Sequence, residues 1–328
     1  MAYIENSKTY TGKELETIFF RPMLSGENAE QLGIRILYNM PTPMAVQLWD
    51  GNPGLLQRYT AAGWEGENYT AHTEKEISLE RVKAEMSFSA ANYFSTIYEH
   101  LVNSAEVNMD DLSGTELEQA ETEIFRRSIA EALRATMWIG DPNGPEDFEL
   151  KTFPGFLTQI NNMAAEGDIT HTFFMPEDLA SPDSVIDFFE KCWGNASERL
   201  KDLKREGELV LFVTSDIYHL YERYLDSKGA DVAYTEMVAG RPSLAYHGIP
   251  VVDMHVGSYL PNTYLPQSLI LLTDRRNLVL AVNTADYPGT EVRMWYNPDL
   301  MENRQRAIFM AGCTVLDESL LSFCILNE

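Results

Sequence analysis

Basic side chains are in short supply. The chain of 328 residues holds 25 Lys and Arg against 50 Asp and Glu, a net charge of −25 at pH 7. Its basic clusters are short: Lys201, Lys204 and Arg205, then Arg275 and Arg276. A surface that grips nucleic-acid phosphates needs a concentrated basic face, and the sequence displays none. The acidic residues are spread along the chain, which describes an acidic surface and not an acidic tail. Cysteine is nearly missing as well. Cys192, Cys313 and Cys324 are an odd number with no C-x-x-C pair, which argues against a disulfide framework and a zinc site. Cys192 lies in an apolar helical pattern and Cys324 in an apolar terminal run, so they read as small buried hydrophobes. No apolar run approaches the roughly 20 residues that cross a bilayer. The opening MAYIENSKTY lacks the basic and apolar regions of a signal peptide, so a cytosolic product is expected.

The motifs of common chemistries are missing too. There is no Gly-rich phosphate loop followed by Lys and Ser or Thr, and no strand–G-x-G-x-x-G–helix unit. There is no H-E-x-x-H helix and no G-x-S-x-G elbow. The six histidines, at 72, 100, 171, 219, 247 and 255, are scattered. Asp253 and His255, two apart in a strand-like segment, share a face and offer two metal ligands, but a metal site needs a third. No catalytic residue, cofactor or metal is expected.

What is there is an ordered protein of 45% apolar and 11% aromatic content, long enough for two compact lobes. Residues 1–45 have no sustained period and are punctuated by Gly12, Pro22, Gly26, Pro41 and Pro43. They nonetheless contain Ile18, Phe19, Phe20, Leu24, Ile34, Ile36 and Leu37. An extended arm that packs on something else satisfies both facts. Residues 46–86 read as a long two-stranded excursion. AVQLW enters, DGNPG, Gly63 and Gly66 supply bends, and YTAHTEKEISLERVKAEMSF returns, with Ile77, Leu79 and Val82 breaking the strict alternation. A lone hairpin is marginal in water. Trp49, Leu55, Leu56, Tyr59 and Trp64 are therefore the candidates for leaning on a neighbouring subunit, with ordinary core as the equal alternative.

Residues 113–139 carry the clearest helical pattern. Ser113 and Glu116 have capping-box spacing. Leu117, Ala120, Ile124, Ile129, Leu133 and Met137, with Phe125 and Ala132 beside them, recur at threes and fours with one step of five. Gly140 suits a left-handed helix end. A second helix is expected over 181–205, capped by Ser181 with Pro182 in its first turn and stopped by Gly207. ELVLFVT (208–214) reads as a buried strand, and Ser215 as the cap of a third helix. Gly248 to Val252 form a turn and short strand, SLILLTDRRNLVLAVN (268–283) two apolar strands joined by a polar turn, and the last twenty residues more strand.

The order of these elements resembles the major capsid proteins of tailed bacteriophages. The resemblance rests on an arm, a long hairpin, and a long helix ending in WIGDPNG and followed by Pro154, Gly155, Phe156 and Leu157. It continues through FVTSDIYHLYERYL and GIPVVDMHV, and covers nearly the whole chain. It implies the α+β Hong Kong ninety-seven-type capsid fold. The parts would be an N-terminal arm (1–45), an extended hairpin (46–86), a peripheral lobe with a spine helix (87–165 and 263–328) and an axial lobe with a central sheet flanked by helices (166–262). It further implies a structural role without enzymatic activity. Subunits would join as hexamers and pentamers into an icosahedral shell around double-stranded DNA, assembled in a bacterial cytoplasm and found in the virion. Portal and, because the sequence begins almost at the arm, a separate scaffolding protein are the expected partners, with no membrane. Some relatives join a hairpin lysine covalently to a neighbour; Lys75 and Lys83 lie in or near the hairpin, and neither is assigned that role. An encapsulin-like compartment with protein cargo is the alternative reading, and a soluble enzyme the distant third.

Overall fold

The computed structural model of the chain describes residues 8–11, 32–39, 44–51, 70–89, 116–146, 148–167, 169, 171–174, 182–228, 236–238, 241–263, 265–283 and 291–326. The strands in chain order are β1 (Lys8–Tyr10), β2 (Arg35–Tyr38), β3 (Met44–Gly51), β4 (Thr70–Ile77), β5 (Glu80–Ser89), β6 (His171–Phe174), β7 (Leu209–Val213) and β8 (Glu236–Val238). They continue with β9 (Arg241–Tyr246), β10 (Ile249–Asp253), β11 (Leu269–Asp274), β12 (Leu278–Asn283), β13 (Glu291–Asn297), β14 (Glu302–Val315) and β15 (Leu321–Leu326). The helices are α1 (Glu116–Ile139), α2 (Phe156–Glu166), α3 (Ser184–Asn195), α4 (Glu198–Asp202) and α5 (Ser215–Lys228).

Two sheets carry the architecture. One runs β1-β13-β14-β12-β2, with β5 also pairing β14 along Glu80–Ser89. The other runs β6-β15-β11-β7-β10-β9-β8, and β3 with β4 forms a separate antiparallel pair. Strands β1 and β2 come from the expected arm, and Leu32 and Ile34 beside β2 are buried in the main core. The described parts of the arm therefore pack on their own chain. Helix α1, 24 residues and about 36 Å long, lies on the six-stranded sheet and buries Phe125, Ile129, Leu133 and Met137, four apart, against Leu280, Val282, Ala307 and Phe309. Each such side chain contributes about 1.5–3 kcal/mol on leaving water. Ile124 and Ala132 point outward instead; Ile124 is 40% exposed. The step of five in the sequence pattern marks this, since the stripe follows Phe125 and not its neighbour. The seven-stranded sheet is covered on one face by α3 and α5 through Phe188, Phe189, Ile217 and Tyr221. Its other face meets the end of α1 and α2, where Trp138 stands edge-on to Phe156 and Phe212 at centroid distances of 5.6 and 5.1 Å.

Several local expectations change on meeting the tertiary structure. The helix expected over 181–205 is two. α3 ends at Asn195 after Gly194, and Ser197 starts α4 by accepting the Leu200 N–H at 3.2 Å. Gly207 does end the segment in the left-handed region, at φ 75°. Ser215 is not a cap; its hydroxyl donates to Asp253 Oδ1 at 2.9 Å. Ser113 and Ser181 lie outside the described residues. The apolar strands of 268–283 do not pair with each other. β11 joins β7 and β15 in one sheet and β12 joins β14 and β2 in the other. Sheet membership thus crosses the expected lobe boundary at 263, because β11 and β15 hydrogen-bond into the sheet of β7.

Gly140 ends α1, but not by a left-handed turn. The chain doubles back so that the Gly155 N–H bonds the Gly140 carbonyl at 2.7 Å. A Cβ on Gly155 would sit 2.6 Å from the Trp138 carbonyl, and one on Gly140 2.3 Å from the Phe153 oxygen. Two backbones touch here, and neither glycine leaves space for a methyl. Replacing Gly155 with Ala is expected to cost at least ~1–3 kcal/mol through overpacking, read as a lower midpoint in scanning calorimetry. An unchanged midpoint would show that the crossing relaxes freely.

Candidate functional site

The chain passes between the two sheets twice near its end, from β11 to β12 through Arg275–Asn277 and from β14 to β15 through Glu318–Leu320. Both passages meet at Asn277, which is 3% exposed. Its Oδ1 accepts the Asp317 N–H at 2.7 Å, and its Nδ2 donates to the Asp317 carbonyl at 2.9 Å and to Thr273 Oγ1 at 3.2 Å. Its backbone carbonyl accepts the Leu316 N–H at 3.0 Å. A buried amide with these partners acts as a rivet between the two turns. Each turn is also pinned locally. Asp274 accepts from the Arg276 N–H at 2.7 Å and takes its guanidinium, and Asp317 caps Ser319 at 2.9 Å. From the helical side, Arg199 reaches Asp317 at 3.2 Å and Ser197 Oγ donates to the Ser319 carbonyl at 2.8 Å.

The root of the hairpin docks on the same junction. Strands β3 and β4 pair from Met44↔Ile77 to Gly51↔Thr70, and the chain then crosses over β14 at Ser78 to become β5. A Cβ on Gly312 would lie 2.3 Å from the Ser78 carbonyl oxygen, so glycine is what lets the crossing lie flat. The return of the hairpin is therefore two strands and not one, and the slip between Leu79 and Val82 is where they change. Ile77 and Leu79 fall on one side of the crossing and pack with Val279, Ala281 and Leu316 in a small core of their own. Val82, Ala84 and Met86 fall on the other side and pack against the main core. Lys75 completes the dock with a 2.8 Å ion pair to Glu318. The pair is partly exposed and worth well under ~1 kcal/mol, but it fixes the hairpin's direction to the junction turn.

Of the residues singled out from sequence, Trp49 lies in β3 opposite His72; Leu55, Leu56, Tyr59 and Trp64 lie outside the described residues. Lys83 pairs with Glu85 at 2.8 Å. All three cysteines are buried. Asp253 and His255 do meet, at 3.2 Å, but β10 ends at Asp253 and His255 stands beyond it at φ 52°. The Asp253 carboxylate is occupied by the His255 ring, the His255 N–H at 2.8 Å and Ser215 Oγ. Among the described residues no group of three His, Cys, Asp or Glu is placed to hold a metal. A cavity of about 140 Å³ between the α1–α2 connection and the segment after β10 is lined by Ile139, Phe148, Thr158, Asn161 and Leu265, with Asp141 at its edge. Sequence reasoning missed Asn277, Asp317 and Gly312. Two of them had a signal, in the polar turn Asp274–Asn277 and in Asp317 before Glu318 and Ser319, each interrupting an apolar run.

The sequence matches no protein-family model and no curated protein. The fold does have solved counterparts. The procapsid of satellite phage P4, which includes the size-determination protein, superposes with a TM-score of 0.55 at 12% identity over 94% of this chain and 98% of that one. The capsid of the empty GTA particle gives 0.51 at 14% identity over 92% and 97%. Gordonia phage Cozz gives 0.55 at 11% identity over 90% and 85%. The chain has the tailed-phage capsid fold. Within that fold, the junction at Asn277 joins the two sheets and seats the root of the β3–β4 pair.

One test addresses this junction and a second the Asp253 carboxylate. Asn277→Ala leaves the Asp317 N–H and carbonyl without their partner, at about 1–3 kcal/mol for each buried group orphaned. Urea unfolding should show a lower midpoint, and a midpoint equal to the parent's would remove Asn277 from its role. Asp253 is tuned by burial, which raises its pKa, and by the His255 and Ser215 bonds, which outweigh burial and hold the carboxyl below its usual range. The stability it contributes is present above the ordinary carboxylate range and lost as pH falls through the lowered value. The stability gap between the parent and Asp253→Asn should therefore narrow on acidification below the ordinary carboxylate range. A gap that widened in acid would contradict the assignment.

Proposed function

We propose that the chain is the major capsid protein of a tailed phage, a structural subunit that builds a closed shell and catalyses nothing. The observation that carries the reading is the extent of the likeness, which spans 94% of this chain and 98% of the P4 procapsid chain. On this reading the subunits form hexamers and pentamers of an icosahedral shell around double-stranded DNA, with portal and a separate scaffolding protein as partners. The arm is 1–45 and the extended hairpin 46–86, within which Trp49, Leu55, Leu56, Tyr59 and Trp64 are the subunit-contact candidates. Residues 87–165 and 263–328 form the peripheral lobe and 166–262 the axial lobe, with β11 and β15 tying the second to the first.

The physics of the chain suits that role. A two-stranded ribbon has no core beyond its root and gains burial on a neighbour. Many modest contacts repeated over a closed symmetric shell add up to a stable one. A surface with net charge −25 would face packaged DNA without adhering to it. No helix among the described residues is long and apolar enough to cross a membrane.

The reading is tested by negative-stain electron microscopy and size-exclusion chromatography of the purified chain, with a co-expressed scaffold where one is required. Rings or closed shells are expected, with nucleic acid inside. Protein cargo in place of nucleic acid would point to an encapsulin-like compartment. A chain that stays a monomer or dimer even with scaffold supplied would overturn the shell reading.

A further inference from the structure

The cavity of about 140 Å³ between the α1–α2 connection and the segment after β10 has no part in building a shell. Its size suits one molecule of about six heavy atoms. Two kinds of wall enclose it. Ile139, Pro145, Phe148 and Leu265 make an apolar side, and Asp141, Thr158, Asn161, Asn162 and Thr263 a polar one. The connection that supplies the first wall is held by its own backbone, with the Asp141 N–H on the Leu150 carbonyl and the Phe148 N–H on the Pro145 carbonyl, each at 3.0 Å. The Phe148 ring closes over Gly144, where a Cβ would lie 2.7 Å from it. The cavity is therefore formed before any ligand arrives.

The polar wall holds a group without a partner. Thr158 is 7% exposed, and its hydroxyl makes no hydrogen bond. A helical threonine ordinarily donates to the carbonyl four residues back. Here that carbonyl belongs to Pro154, which already accepts Gln159 Nε2 at 2.9 Å and Cys313 Sγ at 3.0 Å. The Thr158 hydroxyl is thus left to the cavity that the residue lines. Asn161 and Asn162, three and four residues further along α2, share its side of the helix. Asp141 accepts the Asn143 N–H through Oδ1 at 2.9 Å, and a carboxylate has room for further donors. Thr263 donates to the Leu260 carbonyl at 2.8 Å and accepts the Leu265 N–H at 3.2 Å, which leaves its oxygen one lone pair.

Charge selects the ligand class. Residues 141–151 carry four acids and one lysine, and that Lys151 is turned to the Glu146 carbonyl at 3.2 Å. None of the described lining residues is basic, so an anion would be repelled. One carboxylate beside apolar walls suits a hydrated divalent cation poorly. A protonated amine on a short hydrocarbon stem uses both walls. Its N–H donors meet the carboxylate, the hydroxyls and the amide oxygens, and its methylenes lie on the apolar side. We propose that this cavity binds a primary alkylammonium ion, a small amine or diamine with a stem of about four carbons. The site is complete within one chain, so the inference goes beyond the shell reading and does not depend on it.

Isothermal titration of putrescine into the full-length chain tests the site, with the equal-sized butanediol and with Mg²⁺ run in parallel. Putrescine is expected to saturate a single site with a Kd below ~1 mM, and the diol and Mg²⁺ to bind at least ~10-fold more weakly. Asp141→Asn should weaken putrescine at least ~10-fold. It removes one charge from a net −25, so diffuse attraction to an acidic surface would hardly change. Thr158→Val keeps the side-chain shape and deletes the unpartnered hydroxyl. It should weaken putrescine by ~2–10-fold while the thermal midpoint stays at or above the parent's, which separates lost binding from lost folding. A diol or Mg²⁺ that binds as tightly as putrescine overturns the ammonium class. Putrescine binding that fails to saturate, or that both substitutions leave unchanged, overturns the site.

Discussion

Two turns held together by one buried amide set the geometry of the fold. Asn277 bonds both polar groups of the Asp317 backbone and also the Leu316 N–H. The strands on either side belong to different sheets, so the amide fixes where one sheet leaves off and the other begins. Main-chain groups in such a crossing have no ladder partner and would be costly to bury alone. A side chain with both a donor and an acceptor is the economical way to satisfy two of them. Lysine from β4, and arginine and serine from α4 and its N-cap, then attach to the same turn. The hairpin root, the helical layer and both sheets are thus referred to one point. A shift of any one of them strains the others.

The sequence was most readable where a single element is buried by its own period. Leu209–Val213 is apolar throughout and lies at the centre of a sheet, covered on both faces. The Phe125, Ile129, Leu133 stripe needed only a choice between two adjacent registers, and Ile124 fell on the wrong side because its neighbour was equally apolar. Partnership was not readable. Nothing in SLILLTDRRNLVLAVN says that its halves join different sheets, since a polar turn between apolar runs is also what a hairpin looks like. Gly140 was legible as a helix end but not as half of a backbone contact, because its partner Gly155 is distant along the chain and the contact is tertiary. The break between Leu79 and Val82 looked like a weak strand. It follows directly on Ser78, where the chain passes over Gly312, and after it the strand feeds a different core.

The mixed-charge face of β5, β13 and β14 was illegible for a related reason. Arg81 and Lys83 stand on β5, while Arg293, Arg304 and Arg306 stand on β13 and β14 some two hundred residues later. Only the antiparallel register brings Arg293 to Arg306 and Glu85 to the same row. A search for basic runs therefore finds none of these five together, while the folded sheet carries a fifth of the chain's basic residues on one area.

That placement also answers the charge imbalance. Two copies at net −25 repel at a distance, but at physiological ionic strength exposed charges are screened beyond about 8 Å. Repulsion between whole subunits then matters little at contact, and local complementarity decides which faces meet. On an acidic surface, a mixed, aromatic-centred area favours contact with a segment of complementary charge. Arg81, Lys83, Arg293, Arg304 and Arg306, five of the 25 basic residues, thus give one sheet face a local complementarity that the same residues spread evenly would not. On the shell reading, scarcity of positive charge is what makes its location informative to a neighbouring subunit.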